Sequence, residues 1–277
     1  MKRLVACLVL LASLLGSVGC TSSEVSLDGY WDGLSLESVV ADVEVAEQRF
    51  CKWIELLAKA EPQTQNDSIE ALVEVLESDR VLSLVVGEWA TNYLYGVGSP
   101  LRNQPIYRKW LTALEKSEAI PDEDKSYVGQ HLGYINHNDV GQRIEEFTMN
   151  NRWGESVAIS DHIARPTLLL MVDTTCPSCV DMMQSVEECE PLRKALQRGA
   201  LEWVLVAVGQ TPESIVPLYD EKSPLGWSIF CASRGGLEES YFDTSAAPAM
   251  WLIDEQGVVV VPMTRDVAHL AKELKNL

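Results

Sequence analysis

An α+β chain of two domains, an all-α half followed by an α/β half, is the fold class this sequence predicts. Three observations predict it. From about Leu27 to His137 the apolar residues recur at three- and four-residue spacing. After "NHNDVG" the texture changes to short apolar runs of strand length, alternating with helical stretches. With 277 residues, 47% of them hydrophobic, the chain is long enough to build two modest cores. The boundaries that follow are residues 1–19 as a leader, 20–29 as a linker, 30–138 as the helical domain and 139–277 as the α/β domain. A net charge of −19 without a basic patch excludes nucleic acid as a partner and reads as a solvated acidic surface.

The N-terminus reads as an address. Lys2 and Arg3 precede "LVACLVLLASLLG", which is short for a transmembrane span, and small residues "GSVGC" follow. The cysteine directly after Gly19 resembles the lipobox of bacterial lipoproteins, with Ser17 where Leu is typical. That resemblance implies cleavage before Cys20 and acylation of Cys20, which anchors the chain to a bacterial membrane facing the periplasm or cell surface. An ordinary cleaved signal peptide and a retained anchor are the alternatives. Loss of residues 1–19, which hold two positive charges and no negative one, takes the net charge from −19 to −21. Of seven cysteines, Cys51, Cys176, Cys179, Cys189 and Cys231 then remain beside Cys20. In an oxidising compartment that odd number implies at least one free or intermolecular thiol.

Four or five helices are expected in the first half. "LESVVADVEVAEQRFCKWIELLAKA" places Val39, Val43, Ala46, Phe50, Trp53, Ile54 and Leu57 on one face, and Cys51 reads as a half-buried small hydrophobe. Asp67 and Ser68 offer an N-cap for "SIEALVEVLES". "VLSLVVGEWATNYLY" is a further helix, "GVGSPLRNQP" a turn-rich connector and "IYRKWLTALEKSE" the next helix. Pro121 opens a short helix containing Tyr127.

The second half reads as a hairpin, then β-α-β-α, then β-β-α. "RIEEFTMNNRWGESVAI" holds two short strands around a turn at Asn150–Gly154. "RPTLLLMVD" and "LEWVLVAVG" are strands buried on both faces. Between them "CPSCVDMMQSVEECEPLRKALQRG" is a helix ended by Gly199 and kinked or broken at Pro191. "TPESIVPLYDEK" begins a helix with proline in its first turn. "APAMWLIDEQGVVVVP" is an antiparallel pair joined at Asp254–Gly257, and "TRDVAHLAKELKNL" is a C-terminal helix.

Cys176-Pro177-Ser178-Cys179 thus falls at a strand-to-helix junction. There Cys176 meets free backbone N–H groups and the positive end of the helix dipole, which favour a thiolate. Pro177 fits a first turn, and Cys179 faces Cys176 one turn on, so the pair suits attack on a disulfide and resolution of the mixed disulfide. A zinc site would need two more ligands at sensible spacing, and His131, His137, His162 and His269 are scattered, so neither metal nor cofactor is expected. A structural disulfide would close too small a loop to gain much entropy. A second feature is "SAAPAMWLID", where Pro248 opens a run that otherwise reads as strand; a cis bond at Ala247–Pro248 or a trans edge proline would explain it.

The entry hairpin, "LLLMVDTTCPSC" and "APAMWLIDEQG" together resemble the TlpA/ResA-like thioredoxin-fold proteins of the bacterial envelope, over residues 141–277. The helical half, in "YLYGVGSPLRNQPIY" above all, is similar to an uncharacterised helical domain of some Bacteroidetes lipoproteins. The resemblance implies a thiol–disulfide oxidoreductase with Cys176 as nucleophile, Cys179 as resolving thiol and Pro248 as a cis-proline. Substrate would lie along Ala247, Pro248 and Thr175, and the partners would be disulfide-containing exported proteins and an unidentified electron donor. It implies no role for the helical half. Two departures stand out. Many thioredoxins carry a carboxylate six residues before the first cysteine, where this chain has Leu170; Asp173 is the nearest acid, for proton transfer or for a turn. A peroxidase of related fold would need Thr or Ser in place of Asp173 and Pro in place of Leu169. Cys189 and Cys231 are either bonded or buried thiols, and Trp227 and Trp251 either line the substrate face or pack in the core. The rival to an enzyme is an envelope binding lipoprotein that holds a partner on its helical domain and uses the α/β unit as scaffold.

Overall fold

The computed structural model describes residues 26–118 and 120–277. Residues 1–19, expected to be a leader, and Cys20, expected to carry the lipid, lie outside them. Within the 20–29 stretch read as a linker, Leu27 is already buried, in the same core as Trp31, Phe50 and Trp53.

Six helices build the first half: α1 (Leu36–Ala41), α2 (Val43–Leu57), α3 (Pro62–Leu76), α4 (Arg80–Ala90), α5 (Gln104–Lys116) and α6 (Asp122–Asn136). The expected first helix is split at Asp42, whose non-helical backbone lets its carboxylate accept the N–H of Val45 and start α2 afresh. Val43, expected on the buried face, is therefore 51% exposed. Asp67 and Ser68 are not a cap either. The helix starts earlier, with Pro62 in its first turn, and Ser68 sits inside it, accepting the indole N–H of Trp53 at 2.9 Å. α4 runs into a turn of π-helix at Thr91–Tyr95, closed by the Gly96 N–H bonding the Thr91 carbonyl at 2.9 Å. The helix after Pro121 is not short but 15 residues long, with Val128, His131 and Ile135 on its buried face. Gly129 and Gly133 within it weaken its sequence signal.

The second half carries β1 (Thr148–Asn150), β2 (Ser156–Ala158), β3 (Thr167–Val172), α7 (Pro177–Glu188), α8 (Glu190–Gln197), β4 (Glu202–Val208), α9 (Val216–Lys222), β5 (Trp227–Ala232), α10 (Arg234–Glu239), β6 (Ala249–Ile253), β7 (Val259–Thr264) and α11 (Val267–Glu273). The helix after the two cysteines breaks at Cys189 rather than Pro191. Proline is accepted inside the first turn of α8, so the discontinuity falls two residues earlier. Strand β5 and helix α10 are absent from the element order expected above.

One seven-stranded sheet runs β2-β1-β5-β4-β3-β6-β7, with β3, β4 and β5 parallel and β6 antiparallel to β3. Its central strands are buried on both faces, and the period of two divides them cleanly. Leu168, Leu170, Val172, Trp203, Leu205 and Ala207 face one core with Val186 and Leu192 of α7 and α8. Leu169, Met171, Val204, Val206 and Val208 face a second core, which is continuous with Phe50, Trp53, Tyr107 and Ile135 of the helical half. The helical half thus covers a sheet face instead of folding apart from it. Polar contacts fasten it there: Asn138 donates to the carbonyls of Ser240 and Tyr241 at 3.1 and 3.2 Å, and the ring of His137 stacks on Tyr241 at 3.7 Å.

Candidate active site

The parallel strands all end at one edge, and the two cysteines sit there because β3 hands the chain directly to α7. Cys176 is the N-cap of α7 in extended backbone, and Pro177 occupies the first turn, where no N–H is needed. Cys176 is partly exposed, whereas Cys179, one turn on, is fully buried in the core that also holds Leu170 and Met183. Both are free thiols.

Their surroundings push the two thiols apart. The Ser178 hydroxyl, 2.9 Å from the Cys176 Sγ, and the main-chain N–H of Cys179 hold the Cys176 thiol below its ordinary value. Burial pushes Cys179 up to about 11, although its Sγ accepts the main-chain N–H of Asp173 at 3.3 Å. A helix start and one local hydroxyl therefore make an accessible, acidic thiol beside a hidden, basic one.

Asp173 closes the loop between strand and helix. Its Oδ1 accepts the N–H and the hydroxyl of Thr175 at 3.0 and 2.7 Å, and its Oδ2 accepts Arg234 Nη2 at 3.0 Å. The N–H and hydroxyl of Thr175, then Arg234, hold the carboxyl below the usual range, so Asp173 stands as a carboxylate and a turn cap. Thr175 is thereby fixed with its hydroxyl turned to Asp173. Leu170, six residues before Cys176, is 0% exposed on β3.

Pro248 lies at the same end of the sheet, since Ala249 beside it pairs with Met171 near the end of β3. The Ala247–Pro248 peptide bond is cis. Arg265 reaches back from the end of β7 and donates to the carbonyls of Pro248, Ala246 and Ala247 at 2.8, 3.0 and 3.4 Å. The edge thus gathers Asp173, Thr175, Cys176, Cys179, Ala247 and Pro248.

The other candidates fall elsewhere. Cys189 is half-buried at the α7–α8 break and Cys231 is buried on β5, both as free thiols. Trp227 and Trp251 are 2% and 3% exposed and pack in the core. His131 sits 2.9 Å from the Tyr107 hydroxyl, while His137, His162 and His269 each pair with a glutamate. Among the described residues no group of three or more His, Cys, Asp or Glu side chains is placed to hold a metal ion. No described helix is long and apolar enough to cross a membrane. Sequence reasoning missed Ser178, Arg234, Thr244 and Arg265. Ser178 was open to notice as the neighbour of the nucleophile; Arg234, 61 residues from Asp173, carries no local signal.

Residues 26–138 match the model of a domain of unknown function (DUF5106). Among solved structures, the chain is similar to a thioredoxin-like protein from Bacteroides caccae, at 17% identity over 90% of this chain and 91% of that one, with a TM-score of 0.69. A thiol:disulfide interchange protein from Bacteroides sp. also matches, at 16% identity over 50% of this chain and 90% of that one, with a TM-score of 0.41. A putative protein disulfide isomerase from Bacteroides thetaiotaomicron matches at 16% identity, 50% and 89% coverage and a TM-score of 0.41. No curated protein matches the chain. The first likeness establishes the fold over both halves: a helical region followed by a thioredoxin-like α/β unit.

Proposed function

From a thioredoxin-like fold with two unequal thiols at the β3–α7 junction, we propose a thiol–disulfide oxidoreductase that acts on exported disulfide-containing proteins in the bacterial envelope. The inequality of the thiols carries this reading. Cys176, accessible and held low by Ser178, is the nucleophile; Cys179, buried with a thiol near 11, is the resolving group.

The Cys176 thiolate attacks one sulfur of the substrate disulfide. A Cys176–substrate bond forms, the substrate S–S bond breaks, and the departing substrate thiolate takes up a proton. Cys179 then gives up its proton and attacks the Cys176 Sγ, which releases the second substrate thiol. Two electrons have passed to the substrate, and the enzyme holds a Cys176–Cys179 disulfide. An electron donor with a dithiol of its own restores the starting state by the reverse exchange. The main-chain N–H of Asp173 at the Cys179 Sγ supports the anion that Cys179 must become before attack. Thr175, Ala247 and Pro248 flank the incoming chain. Acylated Cys20 tethers the enzyme to the membrane in this reading, and the helical half acts by covering one face of the sheet.

The test uses the mature chain. It should reduce insulin disulfides with a thiol donor, Cys176→Ala should fall to background, and Cys179→Ser should accumulate mixed disulfides through Cys176. Insulin reduction by Cys176→Ala at the rate of the unaltered chain would overturn the reading.

A further inference from the structure

Asp173 has five polar contacts, and four of them stay inside the dithiol loop. Its carbonyl accepts the Cys176 N–H at 3.1 Å, its N–H donates to the Cys179 Sγ at 3.3 Å, and its Oδ1 holds the N–H and hydroxyl of Thr175. The fifth leads outward, from Oδ2 to Arg234 Nη2 at 3.0 Å. Arg234 opens α10 directly after β5 and has a second arm, with Nη1 3.5 Å from the Thr244 hydroxyl. Thr244 donates in turn to Glu238 at 2.7 Å and begins the turn Thr244–Ala246 that leads into Ala247–Pro248. The end of β4 leaves room for this side chain. Gly209 has φ +69°, and a Cβ there would stand 3.2 Å from Arg234 Nε and 3.4 Å from its Cγ.

We propose that Arg234 is a positioning residue that ties the dithiol loop to the loop carrying Pro248 and acts on the two thiols through Asp173. The inference rests on the dithiol reading given above. Arg234 and Asp173 keep 48% and 28% of their side chains exposed, so their pairing is worth little as stabilisation. Its value is geometric and electrostatic. The fork holds the Asp173 main chain where its N–H meets the Cys179 Sγ, and the guanidinium offsets a carboxylate whose charge disfavours the Cys179 thiolate.

The test brings the full mature chain to equilibrium with glutathione, the dithiol and one oxidised glutathione giving the protein disulfide and two reduced glutathiones. Alkylation of Cys176 is followed against pH in parallel. Arg234→Gln should move the equilibrium toward the disulfide, and slow alkylation at neutral pH, by about threefold or more. Arg234→Lys, which keeps the charge and loses the fork, should recover part of both. Asp173→Asn should abolish the effect, so that the double variant matches Asp173→Asn alone. Unchanged equilibrium and alkylation in Arg234→Gln, or effects of the two residues that simply add, would overturn the proposal. If the unaltered chain never forms a reversible Cys176–Cys179 disulfide, the dithiol reading falls, while the alkylation series still reports whether Arg234 acts through Asp173.

Discussion

The main-chain N–H of Asp173 meets the Sγ of Cys179 at 3.3 Å, although the residues are six positions apart and one follows a strand while the other lies inside a helix. This contact makes the buried sulfur part of the turn itself. The pH behaviour of the protein should reflect it.

Cys179 titrates near 11 when folded, well above the ordinary 9.0. Between those values the folded protein holds a proton that the unfolded chain releases, so stability is fully present below pH 9 and is lost as pH rises toward 11. The loss amounts to about 3 kcal/mol for a rise of two pK steps, at roughly 1.4 kcal/mol for each step. Urea unfolding from pH 8 to 11 measures it, and Cys179→Ala should flatten that part of the decline. An identical decline in the variant would remove Cys179 from the account.

His131 gives the opposite sign. Burial holds its pKa below the ordinary 6.5, and its ring lies 2.9 Å from the Tyr107 hydroxyl. The unfolded chain therefore takes up a proton that the folded one refuses. This contribution is present above pH 6.5 and is lost as pH falls through the folded value. Unfolding midpoints from pH 7.5 to 5 should drop more steeply for the unaltered protein than for His131→Gln.

Trp53 is wholly buried, and its indole N–H has Ser68 as its partner. Ser68→Ala strands that donor and should cost about 1–3 kcal/mol in urea unfolding, with no change in the reactivity of Cys176. A cost near zero would show that water or another acceptor replaces the hydroxyl.

Gly209→Ala meets two obstacles, a φ of +69° and the close approach of Arg234. A non-glycine residue in left-handed backbone costs about 1–2 kcal/mol. Displacement of Arg234 should also slow Cys176 alkylation in the sense expected for Arg234→Gln. Lost stability with untouched alkylation would confine Gly209 to the backbone effect.

Much of the fold was legible because it is written in local periods. The run Thr167–Val172, apolar at every position, marks a strand covered on both sides, and Asp254 and Gly257 mark the tight turn between β6 and β7. The junction of β3 with α7, and so the place of Cys176 and Cys179, followed from the same local signals. Strand β5 was missed because "WSIFCA" is short, is interrupted by Ser228 and follows Pro224 and Gly226; pairing with β4 on one side and Asn150 of β1 on the other completes it. With β5 missed, α10 and Arg234 had no place.

The sequence by itself determined the order of most elements, the dithiol at a helix start and a proline at the head of a late strand. Each depends on backbone propensities and on neighbours within one or two turns. Only the tertiary structure decided that the helical half closes over one face of the sheet, that Cys179 is buried while Cys176 is not, and that Arg234 reaches Asp173. Burial and charge pairing are set by residues distant along the chain that come together only when the sheet is built, and no local pattern encodes those distances.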